Sequence, residues 1–330
     1  MLSLLSNISG FYECLGNTYA GNLSGLCRVD CVPLHILTHF LPVCSMIISN
    51  CPEQTLAVVE DFFSLIGETI SNRLESAILG LTATYFPNAQ GEANDISLEI
   101  LMDCISRAHL RSCAEFWTSV IMRKVTNSGS TSASVNLILF SVVESRQGLM
   151  FALLKAIAIM IGVCDSKTCT KTVSLASSLL PNLIKNENLY GFLENDLISR
   201  CVRTLGDGSL RDTHQAAILL VATVYFALRP ISQGVFDTLL TCIPGITRES
   251  LLFFELEFMA KVTQKERVGL MKNLLGCMTG LELSEMGRDT YIIDAGVGEV
   301  EFFRKKNAVP DPDVISESPG TTITGNLFDH

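Results

Sequence analysis

Residues 216–228 form a run of thirteen positions with no charge, in which only Thr223 and Tyr225 carry a polar atom. A helix of that length without a charged face belongs between neighbouring layers of protein, not on a surface. It is also short of the roughly 20 apolar residues that a membrane span needs. The rest of the chain must therefore supply elements that cover it. The flanks say what kind. The run stops at Arg229-Pro230, because proline has no N–H and disfavours helix at the residue before it. Residues 232–243 make a second short helix, closed by the turn signal Pro244-Gly245. Thr247 is placed to cap a third, with Glu249 in its first turn. Leu251, Leu252, Phe254, Leu256, Phe258 and Met259 crowd that helix. Thr263 and Glu266 stand three apart as a capping box for a last helix, expected to end at Gly280. Asp212 reads as the cap of the first. The stretch 212–281 is thus a series of short helices stacked side by side.

The same grammar extends upstream. Residues 1–31 are irregular, broken by Gly10, Gly16, Gly21 and Gly25. Residues 33–50 read as a helix that Pro42 kinks. Residues 54–85 are long enough for two helices, broken near 67–72, and 87–94 form a loop. A pair is expected at 96–108 and 112–125, then a polar linker at 127–134. Helices follow at 135–144 and 149–163, a turn at 164–167, a helix at 170–185 stopped or kinked near Pro181, and another at 189–205 before the Gly206-Asp207-Gly208 turn. Helices of about 10 to 20 residues recurring at roughly 40 to 50 residues suit HEAT-type repeats. The expected fold is all-α: a HEAT-like helical-repeat solenoid, an ARM-type superhelix, over 32–281. From Glu282 to the end, glycine, proline and acids dominate, so 282–330 reads as an extended, largely disordered acidic tail. Short extended pieces are expected at 290–293 and 300–303. Two apolar clusters interrupt the tail, Phe302-Phe303 and Leu327-Phe328, and can dock back on the stack.

Composition narrows the function. A mean hydropathy of +0.36 raises the question of a membrane span. The greasiest segments, 151–163 and 216–228, are each thirteen residues long, and the first holds Lys155, so no membrane insertion is expected. The first five residues lack the basic flank of a signal peptide. Twelve cysteines scattered through apolar patterns then read as small hydrophobes in a reducing compartment. The net charge is −10, of which −6 falls after residue 281. Bulk charge thus argues against nucleic acid, though one basic face remains compatible with it.

No phosphate-binding glycine loop, zinc-protease helix or nucleophile elbow is present. Cys27 and Cys31 with His35 and His39 come closest to a metal cluster, at looser spacing than zinc sites use. Asp212 and His214 lack a third partner for nucleophilic catalysis. No enzyme activity and no cofactor are expected. The basic residues are more informative. Arg107 and Arg111 stand four apart and Arg200 and Arg203 three apart, so each pair shares a helix face. Arg123, Lys124, Lys167, Lys171 and Lys185 complete a set that reads either as solvated helix faces or as phosphate contacts. Double-stranded RNA is held through phosphates and 2′-hydroxyls, for which spaced Arg and Lys suffice. Arg304, Lys305 and Lys306 read as part of a solvated tail.

The C-terminal stretch also resembles a known family. The residues that carry it are Ala227-Leu228-Arg229-Pro230, Ile243-Pro244-Gly245-Ile246, Glu249-Ser250-Leu251, Phe254-Glu255, Lys265-Glu266-Arg267 and Leu274-Leu275-Gly276-Cys277. The last is Thr322-Ile323-Thr324-Gly325-Asn326-Leu327-Phe328-Asp329. In order and spacing this is similar to the C-terminal region of the exportin-5 family, the Hasty-type pre-microRNA exportins of the importin-beta (karyopherin) superfamily. The likeness is weaker over 148–211. It implies a nuclear export receptor that shuttles between nucleus and cytoplasm and binds double-stranded RNA, pre-microRNA or tRNA cargo when Ran-GTP is present. It also implies contact with nucleoporins. The family's main Ran-binding repeats lie at its N-terminal end, outside the matched stretch. The alternative is a helical-repeat scaffold that binds protein and has no RNA affinity.

Overall fold

The computed structural model describes residues 33–51, 56–85, 95–127 and 130–276. The order begins with α1 (Leu34–Ser49), α2 (Leu56–Tyr85) and α3 (Asp95–Ile121). A hairpin of β1 (Met122–Asn127) and β2 (Ser130–Val135) follows. Then come α4 (Leu137–Ser145), α5 (Gln147–Ile161), α6 (Ser166–Leu183), α7 (Ile198–Thr204) and α8 (Arg211–Leu228). The last three are α9 (Gly234–Cys242), α10 (Arg248–Ala260) and α11 (Gln264–Leu274). A π-helical segment, Phe192–Leu197, leads into α7.

These helices stack in two layers. In one layer α1, α3, α6, α8 and α11 are successive neighbours; in the other, α2, α5, α7 and α9 are. Each antiparallel pair, α2 with α3, α5 with α6 and α7 with α8, crosses between the layers. The second helices of the two later pairs start at Ser166 and Arg211, 45 residues apart. The fold is therefore an all-α HEAT-like solenoid, and one continuous apolar core runs along it. The 216–228 run lies in α8, which α6, α7, α9 and α11 all touch. That is why it buries Ala217, Ile218, Leu220, Val221, Val224, Tyr225 and Leu228 at once. Tyr225 packs edge-on against Phe258 of α10, with ring centroids 5.4 Å apart. Only Leu219 and Phe226 look outward, and the Arg267 guanidinium covers the Phe226 ring at 3.5 Å.

Among the described residues no single helix is long and apolar enough to cross a membrane. The α4–α5 pair reaches the length together but is bent by 109°.

Several sequence expectations give way. Residues 56–85 are one helix, not two. Gly67 is no break: a Cβ there would lie 2.5 Å from Leu149 and 3.0 Å from Trp117, so it lets α2 approach α5 and α3 closely. The expected pair at 96–108 and 112–125 is the single helix α3 up to Ile121, with strand beyond it. Ser112, expected to start a helix, donates instead to the Thr38 carbonyl. The polar linker at 127–134 is part of an antiparallel hairpin pairing Met122 with Val135 and Asn127 with Ser130. The ladder closes where Asn136 N donates to Ile121 O at 2.7 Å. The helix expected at 170–185 starts earlier, at Ser166, and ends at Leu183, two residues past Pro181, in keeping with a stop near that proline. Asp212 is not a cap but the second residue of α8, because Asp207 caps the 3-10 turn Gly208–Leu210 ahead of it. α11 ends at Leu274, before Gly280. The expectations for 1–31, 87–94 and the tail from 282 lie outside the described residues.

Candidate nucleic-acid interface

The basic residues singled out from sequence sort into three places. The first is the joint between α3 and the α5–α6 turn. Arg107 donates from Nε to Asp103 at 2.8 Å and from Nη1 to the Cys164 carbonyl at 2.7 Å. Arg111, one turn on, donates from Nε to Asp165 at 3.0 Å. Asp165 also caps α6, accepting from Thr168 N at 3.0 Å and Thr168 Oγ1 at 2.7 Å. Burial pushes the Asp165 carboxyl up, yet Arg111 and the Thr168 donors outweigh it and hold the group below the usual carboxylate range. Lys171, further along α6, pairs with Glu115 of α3. Arg107, Arg111 and Lys171 thus pin α3 to α6, and their charge is matched by carboxylates.

The second place is the edge formed by the α5–α6 and α7–α8 turns. These turns are tied together. Thr204 Oγ1 donates to Ile161 O at 3.0 Å. The Cys164 thiol, pushed up to about 11 by burial, is hydrogen-bonded to Asp207. Lys167 is exposed in the first turn of α6. Arg200 lies beside Gly162, its Nη1 3.7 Å from where a Cβ would stand. Arg203 is exposed at the end of α7 and Arg211 at the start of α8. Among the described residues none of these four has a carboxylate within salt-bridge distance. The N-termini of α6 and α8 open on the same edge, but Asp165 caps the first and Asp212 stands in the first turn of the second, so the positive charge of the edge rests on these four side chains.

The third place is the opposite end of α6. Arg123 is exposed on β1 opposite Ser134, and Lys124 is opposite Ala133. Lys185 follows α6 and reaches Asn182 at 3.4 Å. An 18-residue helix is ~27 Å long, so these residues and Lys167 do not share one cluster.

Arg211 was not singled out in the sequence. Its signal was its place: a basic residue directly after a glycine-flanked turn, at the same point of its repeat as Ser166. Three other basic residues are structural. Arg146 at the start of α5 reaches Asp61 at 2.7 Å and Glu60 at 3.0 Å on α2. Lys155 meets Glu75 at 2.9 Å, and Arg229 meets Glu255 at 2.9 Å. Among the described residues no three His, Cys, Asp or Glu side chains converge as a metal site.

A family model described as the Exportin-5 family matches residues 9–289. No curated protein and no solved structure matches the chain.

Proposed function

The chain belongs to the exportin-5 family, and on that premise we propose that it is a cargo-holding segment of a nuclear export receptor whose basic edge takes the phosphates of a double-stranded RNA. Membership of a transport-receptor family supports a binder over a catalyst. The observation that supports RNA as cargo is the second cluster: Lys167, Arg200, Arg203 and Arg211 on one edge, none with a carboxylate partner within salt-bridge distance among the described residues. Phosphate contacts need only that, since A-form RNA is recognised by backbone and shape. Arg123, Lys124 and Lys185 make a second, separate contact for a duplex long enough to pass across α6. Arg107, Arg111 and Lys171 contribute by holding the edge in shape. Pre-microRNA stems and tRNA acceptor arms both present such a duplex. Ran-GTP sets when cargo is held, through the N-terminal repeats of the family, and release follows hydrolysis by Ran. Nucleoporin contacts and shuttling between nucleus and cytoplasm complete the reading.

A second reading, a protein-binding scaffold, is favoured by charge: residues 1–281 carry a net −4. Titration of the chain with a short hairpin RNA at several salt concentrations separates the two. The export reading expects binding that weakens steeply with salt and prefers duplex RNA over duplex DNA. A scaffold shows no such binding.

A further inference from the structure

Helix α10 is apolar on two sides. Leu251, Phe254 and Phe258 point into the stack, where Phe254 and Phe258 meet Tyr225. On the other side, Leu252, Phe253 and Leu256 stand at helical spacing, with Phe253 72% and Leu256 74% exposed. This stripe is bounded by acids. Glu249 is exposed one turn before it, and Glu257 is exposed beside Leu256. Of the cations nearby, Arg248 lies over the Phe236 ring at 5.7 Å, and Lys261 meets Glu257 at 3.5 Å in a solvent-exposed pair that an incoming cation can share or replace, while no cation stands within salt-bridge distance of Glu249 among the described residues. A soluble surface rarely spends three large apolar side chains on a row without a partner for them.

The chain carries one segment of matching chemistry. Beyond α11 the sequence turns acidic, net −6 from Glu282 on. One short stretch in it reverses the sign: Phe302-Phe303 followed by Arg304, Lys305 and Lys306. Two adjacent aromatics suit the Leu252, Phe253 and Leu256 stripe, and three cations suit Glu249 and Glu257. The other apolar cluster, Leu327-Phe328, is followed by Asp329 and would meet the same glutamates with like charge. Reach is ample: 25 residues lie between Gly276 and Phe302, ~86 Å when extended, against ~20 Å for the length of α10. We infer that Phe302 and Phe303 dock on the outward face of α10, with Arg304, Lys305 and Lys306 seated against Glu249 and Glu257. The docked segment covers the outward face of α10, and any partner that uses this face must displace it.

The test uses the full chain. A labelled peptide of residues 299–308 is titrated against the chain and against the Phe302→Ala/Phe303→Ala variant, whose own segment no longer competes. The expected result is binding at least ten-fold tighter to the variant, lost when Phe253→Asp/Leu256→Asp is added. Both of those side chains face solvent, so circular dichroism should show the fold intact. Charge gives a second arm. Glu249→Lys/Glu257→Lys weakens the peptide, and a peptide with the three cations changed to Glu binds this variant better than the original does. Equal affinity for the chain and the variant, or peptide binding that survives Phe253→Asp/Leu256→Asp, overturns the proposal. So does protection of Arg304 from trypsin that disappears on dilution, which would mean the segment docks on a second copy.

Discussion

Ser112 Oγ donates to the carbonyl oxygen of Thr38 at 2.8 Å, across the interface of α3 and α1. Thr38 stands four residues before Pro42, which lies inside α1 and has no N–H to return to that carbonyl. The helix runs on through its proline because a neighbouring helix supplies the missing donor. Replacing Ser112 by Ala should cost about 1–2 kcal/mol, the usual penalty for a half-buried acceptor left unmade. In a Pro42→Ala background the cost should shrink to a few tenths, since a backbone N–H at position 42 then serves the carbonyl. Urea denaturation of the four proteins reads the coupling. An equal cost in both backgrounds would refute it.

The same interface holds a pH-sensitive histidine. His109 is fully buried, with Nδ1 3.2 Å from Thr38 Oγ1 and Nε2 3.4 Å from the Cys113 thiol. Thr38 gives its own proton to Leu34 O at 2.8 Å, which assigns Nδ1 as the protonated nitrogen and leaves Nε2 to accept from Cys113. Burial, then the charge of Arg73, lowers the His109 pKa to about 4. In the unfolded chain the ring titrates near 6.5, so there the unfolded state takes the proton first. Stability is therefore complete above about 6.5 and drains as pH falls toward 4, by on the order of 3 kcal/mol. Urea midpoints at pH 7, 5.5 and 4 should show this fall, and His109→Gln should flatten it over that window.

Asp165 answers in a lower window. Its folded carboxyl is held below the ordinary value, so its contribution is present above about pH 3.8 and is lost as pH drops further. Asp165→Ala removes the α6 cap and the acceptor of Arg111. Arg111 is 44% exposed, so its share is screened and the expected loss is about 2 kcal/mol, most of it from the cap. Asp165→Asn keeps an oxygen for Thr168 N and should recover about half. Thermal unfolding of the three proteins at pH 7 gives the ranking; Asn as costly as Ala would assign the effect to the ion pair instead.

What could be read from the sequence was what depends on neighbours in the chain. Thr247 and Thr263 cap α10 and α11 as their spacing foretold, and Gly245 takes the positive φ of 72° that its turn requires. The charge-free run at 216–228 demanded cover on several sides, and that demand alone pointed to stacked helices. The hairpin escaped, because its ladder depends on Asn136 meeting Ile121 across the turn. Gly67 looked like a break because its reason, Leu149, lies far along the chain. The same limit governed the basic residues. Arg111 is 54 positions from Asp165, so nothing in its surroundings showed that its charge was already matched.

That distinction sets the last prediction. If the α5–α6 and α7–α8 edge takes phosphates, the unmatched cations should control the salt dependence and the matched ones should not. Each phosphate contact on duplex releases counterions worth about 0.9 in the slope of log K against log salt. The Lys167→Glu/Arg200→Glu/Arg203→Glu variant should flatten that slope by ~2 to 3 for a hairpin RNA and weaken binding at low salt by on the order of a hundred-fold or more. Lys171→Gln, which frees Glu115 rather than removing an unmatched cation, should change the slope by less than about 0.5. Because all four positions are at least partly open to solvent, thermal midpoints should move little. Fluorescence anisotropy from 50 to 300 mM salt makes the measurement. A slope unmoved by the triple variant removes this edge from the RNA contact, and a steeper loss in Lys171→Gln would move the contact onto the α3–α6 joint.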